Sequence, residues 1–67
     1  MNCDKDRYYK IFRNGKMENA LCVQASWGTS KFEFLDGDKE TIIITQDLID
    51  SGLYKIIDDQ VLNAMMA

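Results

Sequence analysis

Apolar and polar residues alternate along much of the chain, which is typical of strands that are buried on one face. Segment 7–13 is rich in aromatic and β-branched residues and ends at Asn14-Gly15, the dipeptide that most readily forms a two-residue hairpin turn. The return strand begins after Lys16 and is clearest over 21–27. The alternation predicts a hairpin whose second strand has an apolar face made of Leu21, Val23, Ala25 and Trp27.

A second hairpin is predicted after the turn residues Gly28-Thr29-Ser30. Segment 31–35 alternates with a period of two and ends at Asp36-Gly37, another turn dipeptide. The return strand over 40–45 is apolar on both faces at its centre, where three isoleucines follow one another. Such a strand is expected to be covered on both sides or curled into a small barrel, so we predict that it lies in the middle of the core.

The last third of the chain predicts two short helices around one more strand. Thr45 is suited to cap a turn of helix near 46–51, and Gly52 is placed to end it. Segment 53–57 has the composition of a fifth strand. Asp58 is then expected to cap a C-terminal helix in which Val61, Leu62 and Met65 recur at helical spacing.

These elements predict one domain over 1–67, with residues 1–6 as a loose N-terminal segment. The fold class is α+β and mainly β: an antiparallel sheet of four to five strands, a helical turn near 46–51 and a short C-terminal helix. The order of elements is similar to that of a small SH3-like barrel, as an analogy of architecture only. The alternative is an open sheet with the helix across one face, and the two differ mainly in whether 53–57 pairs with the first strand.

The length and the thiols indicate a small cytoplasmic domain that associates with something else. A chain of 67 residues buries too little surface for a wide stability margin, so we expect a homo-oligomer or a bound partner. The longest apolar run has three residues, which excludes a membrane span, and the acidic N-terminus does not have the pattern of a signal peptide. Cys3 and Cys22 are too few for a disulfide scaffold, and we expect both to be reduced.

The residue inventory argues against an enzyme, a cofactor and a metal site. The chain has no histidine, so the commonest general base and the usual activator of a cysteine nucleophile are both missing. The segment around Asp36-Gly37-Asp38 lacks the spacing of an EF-hand, and no glycine-rich phosphate loop occurs. We interpret the Asp58-Asp59 pair as acids that open a helix, where they complement its dipole.

Charge is unevenly distributed along the sequence, although the net charge is only −3. Residues 1–31 carry an excess of bases, and residues 32–67 carry eight of the eleven acids. We therefore predict a protein-binding module that presents carboxylates to a basic partner, in its narrower form an inhibitor that occludes a nucleic-acid-processing or host-defence enzyme, as small phage-type inhibitors do. The residues predicted to contact the partner are Glu33, Asp36, Asp38, Glu40, Asp47 and Asp50, with exposed aromatic contacts from Tyr9 and Tyr54.

Two other hypotheses stay open. Tyr8, Tyr9 and Phe12 are interleaved with Arg7, Lys10 and Arg13, a mixture of rings and cations that binds single-stranded nucleic acid on small barrels. A pI near 4.6 opposes binding to a polyanion, and some of these rings are needed for the core. The other hypothesis is a structural or assembly component whose acids only keep the domain soluble.

Overall fold

The computed structural model describes residues 3–37 and 40–66 and contains one five-stranded antiparallel sheet. The strands lie in the order β4-β3-β2-β1-β5, so β4 and β5 form the two edges. This architecture confirms the predicted α+β, mainly β class. The elements in chain order are β1 Tyr8–Arg13, β2 Lys16–Ser26, β3 Thr29–Phe34, β4 Thr41–Thr45, α1 Gln46–Asp50, β5 Lys55–Asp58 and α2 Gln60–Met66.

The sheet is open, although β5 pairs with β1 as the barrel hypothesis required. Lys10 lies opposite Ile57 and Ile11 opposite Ile56 in this antiparallel pair. The sheet is not closed into a barrel, because β4 pairs only with β3 and β5 only with β1 among the described residues. The pairing of the fifth strand therefore did not discriminate between the two architectures.

The first hairpin forms where the sequence predicts it. Arg13 lies opposite Lys16, which leaves Asn14 and Gly15 as the loop. Both have positive φ, 51° and 72°, as a type I′ turn requires. This local signal therefore sets the register of β1 against β2.

One face of the sheet carries the core. Its largest fully buried side chains are Phe32 and Phe34 of β3, Ile11 of β1, Ile44 of β4 and Cys22 of β2. The helix α1 packs Leu48 and Ile49 against this cluster. The other face has no comparable buried cluster among the described residues.

The prediction of one continuous apolar face on β2 is wrong, because the strand contains an irregularity. The register against β3 shifts between Cys22 and Gln24, as in a β-bulge, so alternation in the sequence does not carry through to the sheet. Ala20 and Cys22 are completely buried, while Ala25 is exposed and Trp27 is 102% exposed at the tip of the hairpin. The prediction that Cys22 is buried is confirmed.

The strand β4 lies at an edge and not in the middle of the core. Ile44 is buried and Ile42 is half-buried on the core side, but Ile43 points to the opposite face and is 59% exposed. The sequence rightly shows a strand that is apolar on both faces. The fold covers only one of them.

The two helices differ in how well the sequence predicts them. Thr45 caps α1 as predicted, since its Oγ1 accepts a hydrogen bond from the Leu48 amide at 3.4 Å. The cap of α2 is Asp59, whose carboxylate accepts from the Leu62 amide at 3.1 Å, and not Asp58. Of the predicted apolar positions of α2, Leu62 is half-buried, whereas Val61 is 68% and Met65 is 73% exposed.

Hydrogen bonds hold residues 3–6 against the sheet. The prediction of a loose N-terminal segment is therefore wrong for these residues. The Asp6 amide donates to the Cys22 carbonyl at 2.7 Å, and the Asp4 amide donates to the Tyr9 hydroxyl at 2.8 Å. Cys3 packs against the core. Neither described helix combines the length and the apolar character that crossing a membrane demands.

Candidate partner-binding site

The β4 edge, defined as Thr41–Thr45 at the outer side of the sheet, is the centre of the candidate site. Its sequence contains no charged residue and no proline. Proteins usually protect an edge strand with a charge, a proline or a bulge, because unpaired backbone groups there accept a further strand. The described part of β4 has none of these devices.

The hydrogen-bond pattern shows which backbone groups of the β4 edge face outward. The Phe34 amide donates to the Glu40 carbonyl at 2.8 Å, which makes these residues a hydrogen-bonded pair. Because such pairs alternate along an antiparallel ladder, the amides and carbonyls of Ile42 and Ile44 also point to β3. The corresponding groups of Thr41 and Ile43 therefore point away from the sheet.

The predicted acids lie around this edge, at both ends of β4. Asp36 is in the turn before the strand, and Glu40 directly precedes it. Asp47 and Asp50 are in α1, which directly follows it. Glu33 lies on β3 opposite Thr41, and Asp38 is outside the described residues. At a rise of about 3.3 Å per residue, the two groups of acids are roughly 20 Å apart along the strand.

Not all of these carboxylates are equally available to a partner. Glu40 accepts a hydrogen bond from Arg13 at 2.6 Å, and the same guanidinium binds Glu18 at 3.1 Å. The hydrogen bond that Arg13 donates to Glu40, and after it the one to Glu18, raises the pKa of Arg13 well above its usual value. Among the described residues, Glu33, Asp36 and Asp47 have no side-chain hydrogen bond or ion pair, whereas Asp50 accepts one from Gln46 at 2.9 Å.

The two tyrosines predicted as exposed contacts belong to the core side. Tyr9 is only 5% exposed and meets the ring of Phe32 edge to face at 5.8 Å. Burial raises the pKa of Tyr9. Tyr54 is half-buried and packs against the core. The prediction of an exposed Tyr9 is therefore wrong, because alternate residues of β1 point in opposite directions.

The uncovered face, defined as the side of the sheet that bears Phe12, Met17, Ile43 and Ile57, was missed by sequence reasoning. These four side chains are 36% to 59% exposed. The strand registers place Lys10, Lys31 and Lys55 on the same face. A shallow cavity of about 140 Å³ lies there, lined by Gln24, Ser26, Thr29, Lys31 and Ile43. The signal available in the sequence was the paired isoleucines of β4 and β5.

The side chains of the basic, aromatic first strand alternate between the two faces of the sheet. Tyr8, Lys10 and Phe12 have the orientation of the uncovered face, and Tyr9 points into the core. Arg7 donates to Asp58 at 2.5 Å, and Arg13 lies over the ring of Phe34 at 4.2 Å. Both arginines are thus engaged within the chain.

The two thiols are held in apolar surroundings. Burial, with a smaller contribution from the neighbouring Cys22 thiol, raises the pKa of Cys3 to about 11. Burial also raises the pKa of Cys22. Both are free cysteines in the structure. Such thiols are poor nucleophiles near neutral pH, because the reactive form is the thiolate.

Comparison with protein-family models, with curated proteins and with solved structures finds no match for this chain. Within 3–37 and 40–66, no three carboxylates or thiols are grouped so that they could hold a metal ion.

Proposed function

We propose that this chain is a small, non-enzymatic, cytoplasmic protein-binding module, in its narrower form an inhibitor that occludes a basic surface of its partner. One observation carries this proposal. Five of the predicted acids, between residues 33 and 50, lie on or directly beside β3 and β4, and β4 is the edge strand. Both cysteines are free in the structure, as is usual for proteins of a reducing compartment such as the cytoplasm.

The arrangement of the acids suits binding of a partner better than stabilisation of the fold. Glu33, Asp36 and Asp47 make no ion pair with another described residue, so they contribute little to folding. Carboxylates of this kind at the rim of an interface attract a basic partner and accelerate association, and salt screens the effect. The uncharged strand between them supplies a contact surface that does not repel either sign of charge.

Affinity capture followed by kinetics tests the proposal. The immobilised chain is incubated with lysate of its source cells, with and without nuclease, and retained proteins are identified by mass spectrometry. With the purified partner, Asp36→Asn combined with Asp47→Asn is expected to slow association roughly three- to tenfold, and added salt to reproduce the loss. Both residues are exposed, so the free energy of unfolding is expected to change by less than about 0.5 kcal/mol.

The matched control is Gln60→Lys combined with Ala64→Lys, which makes the same change in net charge on the exposed side of α2. It is expected to leave the association rate near that of the wild type. Recovery of nuclease-sensitive complexes alone, or equal effects of the two double variants, would contradict the proposal.

Single-stranded nucleic-acid binding is the second candidate, and the uncovered face favours it. Phe12 is 36% exposed there between Lys10 and Lys55, which combines a ring for stacking with cations for phosphates. Lys10→Gln with Lys55→Gln is expected to abolish a gel shift of a single-stranded oligonucleotide. The Asp36→Asn, Asp47→Asn variant is expected to leave that shift intact or to strengthen it, since repulsion of the phosphates falls.

A further inference from the structure

We propose that the β4 edge binds an extended segment of the partner protein, which adds to the sheet as a sixth strand and carries basic residues at both of its ends. This inference rests on the proposed function and specifies how the site works. The backbone of β4 would provide the hydrogen bonds, and the acids around it would select the segment.

The backbone of β4 is ready for strand addition. The amides and carbonyls of Thr41 and Ile43 point outward, as the ladder with β3 requires. No described backbone group outside the sheet bonds to them. An added strand would pair with these groups without breaking any existing bond.

The opposite edge does not offer the same opportunity. The strand β5 has four residues and is charged at both ends by Lys55 and Asp58. Asp58 is bound by Arg7 at 2.5 Å and by the side chain of Asn63 at 3.2 Å. Charged edge residues of this kind discourage pairing with another chain. The two edges of the sheet are therefore not equivalent, and only β4 is uncharged.

The side chains around β4 indicate the composition of the middle of the segment. Residues paired with Thr41 and Ile43 would lie on the uncovered face, beside the 59% exposed side chain of Ile43. The shallow cavity next to this isoleucine is lined partly by Lys31 and Thr29. β-Branched residues fit such a half-buried position on a pleated surface. The centre of the segment should therefore consist of β-branched residues, that is, valine, isoleucine or threonine.

The acids at the two ends of β4 indicate that the bound segment is basic at both ends. They also argue against a second copy of this chain as the occupant of the edge. A separation of roughly 20 Å corresponds to basic residues about six positions apart in an extended partner. Two copies paired antiparallel through β4 would bring Asp36 and Glu40 of one copy against Asp47 and Asp50 of the other. Like charges opposed in this way are unfavourable. The occupant is a basic segment of another protein.

Synthetic peptides test this proposal directly. The probe has the sequence Lys-Lys-Thr-Val-Thr-Val-Thr-Lys-Lys with a fluorescent label, and its binding to the intact chain is followed by anisotropy in low salt. We expect it to bind at least tenfold more tightly than the same peptide with glutamate in place of every lysine. Asp36→Asn with Asp47→Asn should weaken its binding at least threefold, and Gln60→Lys with Ala64→Lys should not.

N-Methylation separates strand addition from simple charge attraction. In a β-strand, alternate amides point to opposite edges, so methylating one alternate set of peptide amides should abolish binding and methylating the other set should preserve it. These modifications leave the protein unchanged. In addition, Ile43→Pro removes an outward amide without removing a hydrogen bond to β3, so it is expected to weaken binding of the lysine peptide in a variant that circular dichroism shows to be folded.

Each outcome decides the inference separately from the function. Failure of the lysine peptide to bind, or equal binding of both methylated peptides, overturns strand addition at β4. If the captured native partner still responds to Asp36→Asn with Asp47→Asn in that case, the protein-binding function stands and only the mode is wrong. Loss of binding with one methylated set alone supports the proposal.

Discussion

Neighbouring isoleucines of β4 should differ sharply in what they contribute to stability. Ile44 has no exposed surface and lies in the core, whereas Ile43 is 59% exposed on the uncovered face. Substitution by valine removes one methylene and keeps the β-branched shape, so strand propensity changes little. The comparison isolates burial on the two sides of one strand.

The size of each effect follows from this exposure. Ile→Val at a fully buried site costs about 0.5 to 1.5 kcal/mol through lost transfer free energy and the space left behind. A methylene that is already more than half exposed loses less than half of its transfer free energy, about 0.3 kcal/mol. In a domain of this size, 1 kcal/mol lowers the Tm by about 4 to 8 °C. Ile44→Val is therefore expected to lower the Tm by several degrees, and Ile43→Val by about 2 °C at most.

Urea denaturation and thermal melts followed by circular dichroism measure the two variants against the wild type. A low protein concentration keeps self-association out of the comparison. Equal losses at both positions would mean that Ile43 is covered in solution, which would refute the assignment of β4 as an edge strand with one open face.

Three further properties can be checked with standard measurements. We expect self-association through the exposed apolar surface that includes Met65, which is 73% exposed; light scattering that shows only monomer at several hundred micromolar would count against it. Cys3 and Cys22 should carry no metal and no mutual disulfide, and Cys3 should alkylate slowly until the pH approaches its pKa of about 11; a mass loss of two hydrogens that reverses on reduction, or fast alkylation at pH 7, would contradict this. The hydrogen bond from Arg7 lowers the pKa of Asp58, so stabilisation by this pair should be complete above about pH 4 and should be lost as the pH falls through the lowered pKa; the Asp58→Asn variant should lack this part of the acid destabilisation, and an unchanged pH profile would argue against it.

Local signals in the sequence predicted most of the elements. The Asn14-Gly15 turn and the Thr45 cap depend on the conformations of one or two residues, so the sequence contains the needed information. The two predicted hairpins correspond to the observed β1-β2 and β3-β4 pairs. The buried state of Cys22 followed from its apolar neighbours.

The remaining features depend on contacts between distant segments. The irregularity at Cys22–Gln24 reverses the face of β2 beyond it, and no residue type there signals a bulge. Whether Ile43 is covered depends on which strands lie beside β4, which the hairpin pattern does not specify. The acids were predicted as one contact set, but their position around an open sheet edge was missed, because it depends on the same long-range strand pairing.

Hydrogen exchange of backbone amides, measured by NMR on the chain alone and bound to its captured partner, tests the central claim most directly. The outward amides of Thr41 and Ile43 are expected to exchange fast in the free chain and to become strongly protected in the complex, while the amides of β5 stay as they were. Unchanged exchange at Thr41 and Ile43 in a saturated complex would contradict binding at the β4 edge.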